Sequence, residues 1–168
     1  VQVNSSGSSA MTAARPAPTN TVGVAGETYT GSERDGPSMD TRRALLIDAF
    51  TEEPLAGNPA GVLPDADGLS DAQMQAVANE LGAADTAFLQ STEDADFQAR
   101  YFTPRREVDL CGHATVASHY HLFEDGVVDA GVHTLETNVG DLEVEVTDDG
   151  TVWMTQDAPR VDVVDLEY

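Results

Sequence analysis

The fold of this chain is decided by residues 102–115, which read FTPRREVDLCGHAT. The pattern is typical of a strand that ends, a polar turn, and a helix that begins at Gly112. The N–H groups in the first turn of a helix have no partner within it, so they can bind an anion such as a carboxylate. His113 and Cys111 lie beside that start, and both side chains can transfer protons near neutral pH in a suitable environment. An acid–base group beside an anion-binding turn predicts a small-molecule site.

Two helices are predicted in the chain. Residues 70–81 carry apolar side chains on one helical face, with Ser70 and Gln73 forming a capping box and Gly82 ending the helix. A second helix is predicted over residues 112–123. Its apolar side chains spread around most of its circumference, as expected for a helix that a sheet surrounds.

Short strands account for most of the remaining pattern. They are predicted over residues 44–50, within 55–63, and over 86–89, 97–102, 133–138, 142–147 and 151–156. The order is two strands, a helix, two strands, a helix and a meander, which differs from the alternation of a doubly wound sheet. It predicts an α+β fold in which a curved, mostly antiparallel sheet wraps around the second helix.

Composition excludes some classes of partner. The chain has 168 residues, 30 of them acidic, with eight arginines, no lysine and a net charge of −22. Nucleic acid and anionic membranes would be repelled, so neither is expected as a partner. The same balance is typical of a halophilic protein, whose charge is screened at high salt. A single cysteine excludes an internal disulfide framework and favours a cytoplasmic location.

The chain is predicted to have two parts. Residues 1–38 are rich in Ser, Thr, Ala, Gly and Pro without periodicity, which predicts a disordered N-terminal extension. Residues 39–168 form the globular part, and Met39 is a candidate for the natural translation start. No membrane span and no secretion signal are expected.

Five short motifs identify a family. They are IDAF at 47–50, GNPA at 57–60, ADTAF at 84–88, FTP at 102–104 with Glu107, and LCGHAT at 110–115. In this order and spacing, from about Ala44 to the C-terminus, they resemble the phenazine biosynthesis-like family, a branch of the diaminopimelate-epimerase-like fold. The resemblance implies a lobe with a sheet curled around a central helix, and an active site between two such lobes. It implies a cofactor-independent isomerase that moves a proton near the carboxylate of a small metabolite in a biosynthetic process.

The resemblance also implies roles for individual residues. Asp85 stands where the family usually has a glutamate acting as general acid or base, and its carboxylate is drawn back by roughly 1 Å, an error that can cost on the order of 100-fold in rate. His113 is implied to orient the substrate or to shuttle a proton. The positions implied to bind substrate are Asn58, Gly112, Ala114 and Thr115.

Cys111 has two interpretations. Related epimerases and racemases use a cysteine at this helix start as one of two thiol bases, and the helix dipole would favour a thiolate there. The alternative is a small buried side chain at the junction of strand and helix, which we favour. No metal is expected, because His119 and His121 do not share a helix face and His113 is six residues from His119.

Two functions stay open at this point. The family has two lobes, whereas these residues match only the first. The chain is therefore either an isomerase lobe or a catalytically silent or ligand-binding lobe. In either case it is expected to form a homodimer or to pair with a second lobe. Arg105 and Arg106 could steer an anionic substrate, although solvated turn charges are the simpler interpretation.

Overall fold

The computed structural model describes residues 2–3, 9–12 and 41–156, and in that part of the chain a mixed sheet curls around one of two helices. The elements, in chain order, are β1 (Gln2–Val3), β2 (Ser9–Thr12), β3 (Leu45–Ala49), β4 (Asn58–Leu63), α1 (Asp71–Leu81), β5 (Asp85–Gln90), β6 (Phe97–Phe102), β7 (Glu107–Val108), α2 (Gly112–Glu124), β8 (Gly131–Thr137), β9 (Gly140–Val146) and β10 (Val152–Gln156).

The strands form one sheet in the order β1-β2-β10-β9-β8-β6-β5-β4-β3, with β7 paired to β6. Most neighbours are antiparallel, while β4–β5 and β6–β8 are parallel. The predicted α+β fold with a curved, mostly antiparallel sheet is therefore confirmed. Neither helix of the described part combines the length and the apolar character that crossing a bilayer requires.

Helix α2 lies inside the curve of the sheet. It contacts β3, β4, β5, β9 and β10, and every residue from Ala114 to Leu122 is buried. The sheet meets it with alternate side chains, such as Ala87 and Leu89 of β5, which belong to the same core as Val116. Apolar residues were predicted around most of this helix, and the structure surrounds it with the sheet on those sides.

Helix α1 covers the outer face of β5 and β6. Ser70 caps it in a capping box with Gln73, and Gly82 ends it with φ +67°. Its side chains pack on a second core, in which the rings of Phe88 and Phe102 meet edge to face with centroids 5.3 Å apart. All three signals that predicted this helix are present.

The first 38 residues are described only in part. Strands β1 and β2 lie within the stretch expected to be disordered, and β2 pairs with β10. Without β2, that edge of β10 would present unpaired backbone groups, which attract another strand. The structure thus describes residues 2–3 and 9–12 as short strands, while the disordered extension over residues 1–38 stays a prediction. The other residues up to 38, and Met39, lie outside the described part, so the translation start stays a prediction as well.

Candidate functional site

Asp85 reaches the site because of the two-residue period of β5. Side chains that alternate along this strand face opposite sides of the sheet, and Ala87 and Leu89 face α2. Asp85 has the same parity and is the first residue of the strand, so it lies at the end where α2 begins. Its side chain is 21% exposed.

His113 and Cys111 complete a cluster with Asp85. The His113 Nε2 atom lies 3.8 Å from the Asp85 Oδ2 atom, and the His113 Nδ1 atom lies 3.2 Å from the Cys111 Sγ atom. The Nε2 atom is buried and has no hydrogen-bond partner among the described residues. The structure therefore brings together the two residues for which the resemblance implied catalytic roles.

Burial controls the protonation of both neighbours of Asp85. It lowers the pKa of His113, while the Asp85 carboxylate and the Pro59 backbone act in the opposite direction. Burial also raises the pKa of the Cys111 thiol to about 12, against the opposing effect of the Ala114 N–H, and Asp85 adds to the rise. A neutral imidazole thus lies beside a protonated thiol near neutral pH, which favours the packing interpretation of Cys111.

The start of α2 is open to a ligand at two positions. No side-chain hydrogen bond caps its first turn, although the N–H groups of His113 and Ala114 lie near the Cys111 thiol, and Gly112 and His113 are only partly buried. Ala114 and Thr115 are fully buried, and the Thr115 N–H already donates to the Cys111 carbonyl at 3.0 Å. Of the three positions on this helix that the resemblance implied to bind substrate, Gly112 is therefore partly accessible, whereas Ala114 and Thr115 are buried; binding at all three stays a prediction.

Thr115 has a supporting role instead. Its hydroxyl donates to the Cys111 carbonyl oxygen at 2.8 Å and lies 2.5 Å from the Tyr101 hydroxyl, which therefore donates to it. Tyr101 is buried, and burial raises the pKa of its hydroxyl. This chain of hydrogen bonds joins β6 to the N-cap residue of α2, and the sequence analysis missed it.

Asn58 is at the same end of the sheet. It begins β4, where Ala60 pairs with Asp85, and the backbone of Pro59 lies against His113. Asn58 is exposed. Asn58 thus begins the strand that pairs with the strand of Asp85, and its role in binding substrate stays a prediction.

Ion pairs connect the segments on either side of the turn at residues 103–106. Arg100 makes a bidentate ion pair with Glu107 at 2.8 Å for both bonds, and it also binds Asp71 of α1. Arg105 and Arg106 on this turn are exposed. The family motif residue Glu107 therefore serves to hold the segment that leads into α2.

Asp85, Cys111 and His113 are also potential ligands of one metal ion. One ligand atom from each lies within 4.8 Å of the other two. The sequence analysis considered only histidine pairs along α2, where His119 is fully buried, bonded to Thr115, and held neutral because burial lowers its pKa to about 4. Spacing within one helix could not reveal a cluster that needs a ligand from β5.

Comparison with known proteins gives consistent matches. A family model described as "Phenazine biosynthesis-like protein" matches residues 47–168. A Bacillus subtilis (strain 168) protein named "Uncharacterized isomerase YfhB" is 41% identical over 119 residues, which are 70% of this chain and 41% of that protein. An Escherichia coli (strain K12) protein named "Uncharacterized isomerase YddE" is 60% identical over 74 residues, which are 44% of this chain and 25% of that protein.

Solved structures match as well. The crystal structure of a Bacillus anthracis phenazine biosynthesis protein of the PhzF family has a TM-score of 0.64 and 44% identity, covering 69% of this chain and 40% of that one. A predicted epimerase from Pseudomonas aeruginosa has a TM-score of 0.58 and 32% identity, covering 64% and 39%. The chain therefore spans about two fifths of the length of each of these structures.

Proposed function

The chain belongs to the phenazine biosynthesis-like protein family of isomerases, and we propose that it acts by acid–base proton transfer on a small metabolite that carries a carboxylate. Asp85 is the general acid or base, and His113 is its partner. The lobe needs no cofactor for this chemistry, because both proton-transferring groups come from the chain itself. The chain matches less than half of the length of these relatives, so isomerase activity of this chain is itself part of the proposal.

One observation carries this proposal. The buried, unpartnered Nε2 atom of His113 lies 3.8 Å from the Asp85 carboxylate, at a helix start with no side-chain cap. Two titratable groups beside a source of positive potential suit the removal of a proton next to a carboxylate. Among the described residues, neither Asp85 nor His113 takes part in ion pairs as short as those of Arg100 with Glu107 and Asp71.

The reaction follows from the positions of these groups. The substrate carboxylate accepts hydrogen bonds from the Gly112 and His113 N–H groups, which stabilise the negative charge that develops when the neighbouring C–H bond breaks. Asp85 takes that proton. It then passes the proton to the Nε2 atom of His113, which is neutral because burial lowers its pKa, and His113 returns it to the other reacting position, so both groups regain their starting protonation states. The substrate is isomerised without a change in its oxidation state or its atoms.

A cytoplasmic location, a biosynthetic role and pairing with a second lobe or a second copy belong to the same proposal. A paired lobe would cover the open start of α2 and exclude water from the reacting carbon. Sedimentation of the purified chain, alone and with the remaining part of a relative, tests the pairing.

Solvent exchange tests the chemistry. The chain is incubated in D₂O with a panel of small carboxylates, and deuterium incorporation is followed by mass spectrometry. Asp85→Asn keeps the size of the side chain but removes its basicity, so exchange should fall by at least about 100-fold while ligand binding persists.

Asp109→Asn is the matched control, because Asp109 is an exposed carboxylate two residues before Cys111. It should leave exchange unchanged. Full exchange by Asp85→Asn would contradict the assignment of Asp85. Binding without exchange by the unmodified chain would favour the alternative of a ligand-binding lobe.

A further inference from the structure

The cluster at the start of α2 combines three kinds of metal ligand. Asp85 offers a carboxylate oxygen, Cys111 a sulfur and His113 a ring nitrogen, all within 4.8 Å of one another. A second observation points to a ligand here: the His113 Nε2 atom is buried without a hydrogen-bond partner among the described residues. We propose that Asp85, Cys111 and His113 together bind a zinc ion, with a fourth position left for water or a small ligand.

The donor set selects the type of metal. Magnesium and calcium prefer shells made of oxygen atoms, whereas one sulfur, one nitrogen and one oxygen suit zinc. In a tetrahedral zinc site the ligand atoms are about 3.4 to 3.6 Å apart. The Asp85 Oδ2 and His113 Nε2 atoms are 3.8 Å apart. The three ligand atoms all lie within 4.8 Å of one another, so closing the cluster onto an ion needs side-chain shifts of about 1 Å.

Binding has a defined chemical balance. The ion displaces the proton of the Cys111 thiol, which passes to the buffer, and the sulfur binds as a thiolate with no change in oxidation state. The carboxylate and the imidazole bind without further bond breaking. Since the protein provides three ligands, a fourth position stays open for water or a small ligand.

The consequence for activity rests on the proposed function. A bound zinc ion would occupy both Asp85 and His113, so it would block proton transfer by these two groups. Zinc binding itself does not depend on that function, and it can be measured on a chain that shows no turnover.

Cobalt(II) titration tests the site with a spectroscopic signal. The full chain, stripped of metal with EDTA, is titrated with Co²⁺, and a thiolate-to-cobalt charge-transfer band is expected in the near ultraviolet, abolished by added Zn²⁺. Because Cys111 is the only cysteine in the chain, this band cannot come from cobalt on the many surface carboxylates.

Variants separate the three ligands. Cys111→Ser should remove the band, and Asp85→Asn or His113→Gln should each weaken metal binding by at least about 10-fold. His133→Gln is the matched control, because His133 lies on β8 and its Nε2 atom bonds to the Asp129 carbonyl. Circular dichroism confirms that each variant is folded. The proposal is overturned if the unmodified chain gives no thiolate band, or if neither Asp85→Asn nor His113→Gln changes the affinity.

Discussion

Thr115 shows how a single buried hydroxyl supports the site. It accepts a hydrogen bond from Tyr101 and donates one to the Cys111 carbonyl, so it connects β6 to the residue that precedes α2. Both side chains are fully buried. Leaving a buried polar group without a partner lowers the free energy of unfolding by more than the net contribution of one hydrogen bond. The stabilities of variants can therefore show whether this connection exists.

Thr115→Val should destabilise the chain by about 2 to 3 kcal/mol, because it leaves the Tyr101 hydroxyl buried without an acceptor. Tyr101→Phe removes the donor instead and should cost only about 1 kcal/mol, since Thr115 keeps its bond to Cys111. The double variant should lose less than the sum of the two. Urea unfolding measures all three free energies. A cost for Thr115→Val no larger than that of Tyr101→Phe would refute this account of the network.

At this scale the sequence pointed to Asp85 and His113 but not to their surroundings. The motif around Gly112 made a helix start visible, whereas the burial of Thr115 depends on the side chains that the sheet brings over α2. Tyr101 was visible only as one member of an alternating strand. The parity of Asp85 with Ala87 and Leu89 was the available signal that its carboxylate faces α2.

Strands β4 and β5 approach each other closely at Gly61. Gly61 pairs with Thr86, and a Cβ atom at Gly61 would lie 2.5 Å from the Thr86 Oγ1 atom and 2.9 Å from its Cγ2 atom. Thr86 is fully buried, so its side chain has little freedom to move. The glycine therefore permits a parallel pairing that holds Asp85 beside Ala60.

Gly61→Ala should destabilise the chain by about 1 to 3 kcal/mol through overpacking. Thr86→Ala removes both of the nearest atoms, so the double variant should recover part of that loss. Thermal unfolding of the single and double variants measures the coupling. Strictly additive effects would mean that the Thr86 side chain is not what requires a glycine at position 61.

The elements differ in how far the sequence determines them. Helix α1 was predictable at both ends, because Ser70, Gln73 and Gly82 act through local hydrogen bonds and backbone conformation. The parallel pairs β4–β5 and β6–β8 were not, since they join segments whose register depends on packing against α1 and α2. The two-residue strand β7 was missed as well, because it consists of two half-buried residues without an alternation of their own.

Charge is the property of the whole molecule that most needs testing. The net charge is −22, and three of the five arginines in residues 41–156, namely Arg42, Arg43 and Arg100, already pair with carboxylates. The remaining acidic groups repel one another, which destabilises the compact state.

Potassium chloride should therefore raise the unfolding temperature up to molar concentrations, because the screening length falls to roughly 3 Å at 1 M salt. Differential scanning fluorimetry across a salt series measures the effect, with a neutral osmolyte at equal osmolality as the control. A fall in the unfolding temperature would mean that screened ion pairs outweigh the repulsion, and it would remove the support for the halophilic prediction.

The central claim is that the first turn of α2 binds a carboxylate beside Asp85. Amide chemical shifts of the ¹⁵N-labelled chain, recorded during titration with small carboxylates, test it most directly. The account predicts saturable shifts that are largest at the Gly112 and His113 amides and small at Thr115, whose N–H already donates to Cys111. Shifts spread over the surface, or absent at Gly112 and His113 while other amides saturate, would contradict it.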